Sequence, residues 1–279
     1  MTVEKTQTIE SLLSQYDTIS LDGLKDSRRL FDRIDMKYIT DMKTIMQVLS
    51  QVDDQYDVLE IDNKHLFLYD TIYLDTPDYY FYGQHVDGTP LRAKVRTRHY
   101  VDADLTYFEV KLKSKDRTNK YRVEIPKEQH GMVGPEGWAL YKDLYEKSYG
   151  ETPTHELVPQ TKTVYKRITL AHKTLPEKVT IDIDLTFDEK GRNPHEFKEI
   201  VVVEVKSETK ENYMGTLLDQ YGFGVRNHCS KYCLSLCYLD IAQQKEYFIE
   251  TMRLMNHIEH LEEEVLDSVY HQVLAIHSA

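Results

Sequence analysis

The sequence predicts an α+β fold: a closed antiparallel β-barrel with a charged lumen, covered by helices, plus a C-terminal amphipathic helix. Three observations predict it. In L-R-A-K-V-R-T-R-H-Y (91–100) every even position from Arg92 to Arg98 is cationic, while the odd positions are Leu91, Ala93, Val95 and Thr97. Successive side chains of a strand point to opposite faces, so four cations line one face and a largely apolar row lines the other. The same division recurs in Y-F-E-V-K-L-K (107–113), K-Y-R-V-E-I (120–125), V-Y-K-R-I-T-L (164–170), V-T-I-D-I-D-L (179–185) and V-V-V-E-V-K (201–206), with Lys166 the one charged intruder on an apolar row. Finally, residues 92–122 hold ten Lys/Arg against four Asp/Glu, inside a chain of net charge −12. Solvent faces usually mix the two signs. Segregated positive charge in an acidic protein points to a specific anionic ligand, phosphate foremost, rather than to general nucleic-acid affinity. Barrel closure would enclose the charged faces and leave no exposed edge.

Along the chain, residues 1–20 read as a lead-in followed by a short helix, and Arg33 to Tyr38 as a strand. T-D-M-K-T-I-M-Q-V-L (40–49) carries a helical apolar stripe with Thr40 as its N-cap. L-F-L-Y-D-T-I-Y-L-D (66–75) is rich in aromatic and β-branched residues and ends at Thr76-Pro77, as a strand would. Asp102 and Asp104 mark a hairpin tip. The breaker-rich segment 126–137 predicts a loop and Trp138 to Tyr149 a helix, while Lys190 to Pro194 predicts a turn between two strands. Residues 211–221 and 230–239 read as helices, the second capped by Ser230. From Glu246 to Ile276, apolar residues recur every three or four positions, among them Phe248, Met252, Met255, Ile258 and Leu261. Residues 1–240 are therefore expected to form one domain. Residues 241–279 are expected to form an amphipathic helix, packed on that domain or at a homodimer contact.

At 279 residues, 41% hydrophobic and 29% charged, the composition is that of a soluble globular protein. No apolar run approaches the roughly 20 residues of a membrane span. The amino terminus has neither the basic start nor the apolar core of a signal peptide, which predicts a cytoplasmic location without membrane insertion. Cys229, Cys233 and Cys237 follow one helical face at a spacing of four. Thiols spread along an axis do not converge on one ion, so these read as packing residues. His257 and His260 read as a solvated face. Neither G-x-x-x-x-G-K-[ST] nor G-x-G-x-x-G occurs, which disfavours a P-loop or Rossmann nucleotide site.

Taken in order, R-I-D-M-K-Y (33–38), Y-L-D-T (73–76), R-A-K-V-R-T-R-H-Y (92–100), F-E-V-K (108–111), K-Y-R (120–122), V-Y-K-R (164–167), I-D-I-D (181–184), V-E-V-K (203–206) and S-K-Y (230–232) resemble the VTC domain. This is the polyphosphate polymerase branch of the triphosphate tunnel metalloenzymes, the CYTH-like superfamily. The resemblance runs from about Arg33 to Tyr232. Many tunnel enzymes open with Glu-x-Glu-x-Lys, whereas this chain has Arg33-Ile-Asp35-Met-Lys37, so a cation replaces the first acid. The resemblance implies a catalytic set of Arg96, Arg98, Lys111, Arg167 and Lys231. It implies phosphate binding by Lys37, Arg33, Lys120, Arg122, Tyr165, Ser230 and Lys94. Glu204 matches the metal-binding glutamate, with Mn²⁺ or Mg²⁺ as the ion.

The chemistry of these residue types agrees. Arginine offers a planar fork to two phosphate oxygens and lysine a mobile point charge. Phosphoryl transfer needs chiefly positioning and charge neutralisation. Glu109 and Glu124 read as counter-charges for neighbouring cations, while Asp182 and Asp184 could share the metal or pair with Arg and Lys. The expected activity is ATP-dependent polyphosphate synthesis, with ATP or another triphosphate and polyphosphate as ligands and no nucleic-acid partner. The alternatives are a metal-dependent triphosphatase and a non-catalytic polyphosphate-binding module.

Overall fold

Alternating polarity over long segments yields one large antiparallel sheet, and the three-to-four-residue stripes yield helices packed on it. The computed structural model describes residues 3–26, 34–114, 117–189, 192–226, 228–242 and 244–259. In chain order the elements are α1 (Val3–Leu13), β1 (Thr18–Ile19), α2 (Leu21–Asp26), β2 (Ile34–Asp41), α3 (Met42–Leu49), β3 (Tyr56–Leu59), β4 (Phe67–Asp75), α4 (Tyr80–Val86), β5 (Leu91–Tyr100), β6 (Leu105–Ser114), β7 (Arg117–Glu124), α5 (Pro135–Tyr149), β8 (Val158–His172), β9 (Glu177–Glu189), β10 (Arg192–Glu196), β11 (Ile200–Ser207), α6 (Tyr213–Gln220), α7 (Lys231–Tyr238) and α8 (Ile249–Glu259). Asp41, rather than Thr40, caps α3, its carboxylate accepting from the Thr44 amide at 2.7 Å. Helix α7 begins only at Lys231, so Cys229 lies before it. Residues 260–279, which hold the rest of the C-terminal stripe, lie outside the described residues.

The expected closed barrel does not form. The sheet runs β2-β11-β9-β8-β4-β5-β6-β7, with short β1, β3 and β10 attached at its side, and no hydrogen-bonded ladder among the described residues joins β2 to β7. Alternation fixes which face is charged, but closure depends on whether the two end strands pair, and alternation carries no information about that. Strand β7 instead stays an open edge, with Lys120, Tyr121 and Arg122 exposed. The sheet nonetheless curls. Six inter-strand steps separate β2 from β6, which would be about 29 Å in a flat sheet. Yet Lys37 of β2 and Glu204 of β11 act electrostatically on Lys111 of β6. The charged face is therefore concave.

Two apolar clusters cover the convex side. Met36, Tyr38, Ile168, Ile181, Val201, Val203 and Val205 pack against residues of α1, α3 and α6 such as Ile9, Ile45 and Leu218. Ala93, Val95, Phe108 and Val110 pack against Tyr141 and Leu144 of α5. A third cluster lies on the concave side, because Ile39 and Val202 share strand parity with Lys37 and Glu204. There Ile39, Val202, Tyr73, Tyr165, Leu185 and Phe187 pack with Tyr232, Cys233 and Leu236 of α7 and with Met255 and Ile258 of α8. One end of the concave face is thus plugged by α7 and its neighbours, and the N-terminus of α7 stands where the apolar part meets the cations. The three cysteines are buried and free, as packing residues would be.

Asp75 ties this plug to the sheet. Its buried carboxylate accepts from the amides of Thr76, Phe81 and Tyr82 at 2.8, 2.9 and 2.9 Å and from the Tyr232 hydroxyl at 2.5 Å. One side chain therefore anchors the end of β4, the start of α4 and the first turn of α7.

Candidate active site

Strands β2, β5, β6, β7 and β8 and helix α7 supply cations to the concave face, and most of these cations are held by a carboxylate, a hydroxyl or an aromatic ring. On β5 and β6 the register places Arg96 opposite Glu109 and Lys94 opposite Lys111. Glu109, fully buried, accepts from Arg96 Nε at 2.7 Å and forms ion pairs with Arg96 Nη2 at 2.6 Å and Lys120 Nζ at 2.5 Å, with Arg98 at 4.0 Å. Burial alone would raise this carboxyl, but Arg96, Arg98 and Lys120 hold it well below the usual carboxylate range. The Lys120 side chain starts on the exposed edge but its ammonium reaches buried Glu109, and burial of that end lowers it to about 7, with Arg96 adding to the effect and Glu109 opposing it.

On β8 and β9 the register sets Arg167 against Asp182. The carboxylate accepts from Arg167 Nε at 2.5 Å and Nη2 at 2.7 Å, a bidentate pair, and from Lys231 Nζ at 2.5 Å. Burial favours its neutral form, yet Arg167 and Lys231 bring it down to about 2. Both oxygens of Asp182 are thus engaged, as a counter-ion to Arg167 and Lys231. Asp184 takes another course. Val164 and Lys166 of β8 face Thr186 and Ile183 of β9, so a bulge places one extra residue on β9, where Asp184 has φ +53°, and parity shifts along that strand. Leu185 and Phe187 then continue the concave row, and Asp184 pairs with Lys166 at 3.0 Å. The charged intruder on the apolar row thus meets its partner.

Tyrosines hold the guanidinium groups in place. Tyr69 and Tyr165 stack with ring centroids 5.3 Å apart. Arg98 lies 5.4 Å from the Tyr69 centroid and 5.9 Å from that of Tyr165, and Arg167 lies at 4.9 and 5.2 Å from the same two rings. Lys231 stands 4.8 Å from the Tyr165 ring, and Arg98 Nη2 donates to the Tyr165 hydroxyl at 2.8 Å. Tyr69 carries no role in the sequence reading. Its signal was available: on β4, between β5 and β8, it shares parity with Thr71 and Tyr73 toward the charged side.

At the other end of the cation row, Lys94 donates to Ser230 Oγ at 2.8 Å, and Ser230 is the N-cap of α7. Burial is the main cause that lowers the Lys94 ammonium to about 8; Cys233 opposes it, and Lys111, Lys37 and Arg92 reinforce it. Lys37 is paired in register with Glu204, which lies 2.9 Å from Lys206. Burial would raise the Glu204 carboxyl, but Lys206, Lys37, Lys111 and Arg167 hold it far below its ordinary value. An ionised carboxylate facing a phosphate-sized set of cations suits a hard divalent cation that takes its other ligands from phosphate and water. No group of three or more His, Cys, Asp or Glu side chains gathers for a metal among the described residues.

The structure therefore brings together Lys37, Lys94, Arg96, Arg98, Lys111, Lys120, Tyr165, Arg167, Ser230, Lys231 and Glu204. Arg122 stands apart, exposed on the open edge with its guanidinium 4.6 Å from the Tyr107 ring centroid. Arg33 lies outside the described residues. Such a face can neutralise a linear, multiply charged phosphate at several points along its length.

A family model of the VTC domain matches residues 32–240. No curated protein matches the sequence. Among solved structures, an adenylate cyclase candidate from Bacillus halodurans is similar at 14% identity and a TM-score of 0.43, over 77% of this chain and 94% of that one. PH1819 from Pyrococcus horikoshii is similar at 14% identity and 0.40, over 73% and 98%. A structure of HpAC1 from Hippeastrum, described with a dominant triphosphatase activity, is similar at 12% identity and 0.43, over 76% and 99%.

Proposed function

The chain belongs to the VTC domain family, and on that premise we propose that it is an ATP-dependent polyphosphate polymerase. The observation that carries the reading is the gathering of Arg96, Arg98, Arg167 and Lys231 around one concave face, each held by a carboxylate or a tyrosine ring. In the reaction, the bond between the γ-phosphorus of ATP and its bridging oxygen breaks, and the electron pair leaves with ADP. A terminal phosphate oxygen of the growing chain forms the new bond to the γ-phosphorus, so the polymer lengthens by one phosphate.

Arg96, Arg98 and Arg167 would bind the transferring phosphoryl group with their planar forks, pre-oriented by Glu109, Asp182 and Tyr69. Lys231, Ser230 and Lys94 would bind phosphates near the start of α7, and Lys37 and Lys111 would hold the neighbouring phosphate. Tyr165 would donate its hydroxyl to a phosphate oxygen. Glu204 would hold Mn²⁺ or Mg²⁺, and such an ion supplies further neutralisation of phosphate charge. Two anions held side by side on these cations convert a bimolecular encounter into a positioned one.

Incubation of the purified protein with ATP and Mn²⁺, with products resolved by chain length, tests the proposal. Phosphate chains and ADP are expected, with orthophosphate as the minor product. Orthophosphate alone, under every metal and primer condition, would replace synthesis with hydrolysis. Tight polyphosphate binding without turnover would make the face a binding module.

A further inference from the structure

Residues 228–231 cross the edge of the cation face, and the first of them belongs to an aromatic group that phosphate binding does not use. His228 lies two residues before Ser230, whose hydroxyl accepts from Lys94 at 2.8 Å, and Lys231 follows on Asp182. The His228 ring meets Tyr247 at a centroid distance of 3.9 Å and an interplanar angle of 62°. Behind them, Tyr247 is edge-on to Phe248 at 5.2 Å and His228 lies 6.5 Å from the same ring. Phe248 is fully buried, stacked by His85 at 6.2 Å and 4°. Tyr247 itself is 39% exposed. The group is thus anchored on a rigid ring at its base and open to solvent at its top.

The same group borders the cations. Burial is the largest cause that pushes His85 down to about 2, and Lys94, Arg92, His228 and Lys113 act in the same direction. His85 is therefore a neutral ring between the aromatic group and the end of the basic row. The Tyr247 ring, partly open to solvent, touches a residue two positions before Ser230, and an aromatic face beside a phosphate site has an obvious complement. Every nucleobase has a π-face, and stacking on an aromatic side chain tolerates any base.

We infer that the partly exposed Tyr247 ring, held in edge contact by His228, is a stacking platform for the base of a nucleoside triphosphate whose phosphates lie on Lys94, Ser230 and Lys231. The inference rests on the triphosphate-binding reading above and adds the part of the substrate that is not phosphate. Because the platform offers rings rather than a patterned hydrogen-bonding edge, it selects nucleotides over inorganic phosphates without selecting one purine over another.

The test compares ATP, GTP and inorganic tripolyphosphate by calorimetry on the full chain. Wild-type protein is expected to bind ATP and GTP within about threefold of each other. Tyr247→Ala and His228→Ala should each weaken ATP by about tenfold to a hundredfold while tripolyphosphate changes by less than about twofold. Tyr247→Leu, which keeps apolar bulk but no ring, should behave as Tyr247→Ala, and Tyr247→Phe should match wild type. Equal losses for ATP and tripolyphosphate, or none for either, would overturn the platform and leave the phosphate site standing. Wild-type protein that binds neither ligand would overturn the triphosphate reading and the platform with it.

Discussion

Glu109→Gln keeps the shape of the side chain and removes its charge, and two effects of opposite sign should follow. The carboxylate is 1% exposed, accepts from Arg96 and pairs with Lys120 at 2.5 Å, with Arg98 at 4.0 Å. Removing one partner of a buried ion pair costs about 3–5 kcal/mol, and the amide oxygen can still accept from Arg96, so about 3 kcal/mol is expected. At roughly 2–4 °C per kcal/mol, the melting temperature of the ligand-free protein should fall by roughly 6–12 °C. Triphosphate binding should move the other way, because phosphate oxygens no longer compete with a fixed carboxylate for the same three cations. A gain of about tenfold in tripolyphosphate affinity corresponds to about 1.4 kcal/mol. Thermal melts with and without tripolyphosphate, together with calorimetry, read both effects. A wild-type melting temperature would show that Glu109 is not the counter-ion of these cations. A lower melting temperature with weaker binding would show that its positioning of the arginines outweighs its competition with phosphate, and either result refutes the reasoning.

Lys94, lowered to about 8 chiefly by burial, is charged below that pH and neutral above it. Phosphate needs the charged form, so tripolyphosphate affinity measured by calorimetry should fall roughly tenfold from pH 7 to 9, and Lys94→Arg should flatten the decline. Tyr69→Leu should raise the KM for ATP about tenfold by freeing Arg98 and Arg167, whereas Tyr69→Phe, which keeps the ring, should be near wild type in steady-state assays. Glu204→Gln should abolish metal-dependent turnover while tripolyphosphate still binds without metal; wild-type turnover across a Mn²⁺ titration would place the ion elsewhere.

The division of each strand into a charged and an apolar face is legible because strand parity is a local rule. Arg92 to Arg98 needed only alternation to be placed on one face, and the structure holds Lys94, Arg96 and Arg98 there. Closure was not legible, because it is decided by the edges of β2 and β7, whose residues would have to find each other across the whole sheet. Asp184 shows the limit within a single strand. One bulge at φ +53° breaks the parity that I-D-I-D implies, and alternation alone does not reveal that β9 carries an extra residue there against β8. The plug was hidden for a related reason. Ile39 and Val202 look like interruptions of a charged row until α7 arrives to cover them, and that contact joins residues nearly 200 positions apart in the case of Ile39 and Leu236.

An open sheet also changes how the cations can be kept apart from water and from one another. A closed barrel would exclude solvent on all sides. Here α7 and α8 seal one end, while β7 leaves Lys120 and Arg122 at an exposed edge. Cations crowded on a partly open concave face repel, and burial makes each of them less willing to stay charged, as the lowered Lys94, Lys111 and Lys120 show. Glu109 and Asp182 answer this by holding the groups nearest the centre in fixed geometry, and the Tyr69–Tyr165 pair answers it with ring faces that add no negative charge. A bound triphosphate would therefore find arginines already oriented, with carboxylates whose repulsion it must overcome. Affinity and orientation are in opposition at Glu109, and the sign of the change in Glu109→Gln decides which of the two the face is built for.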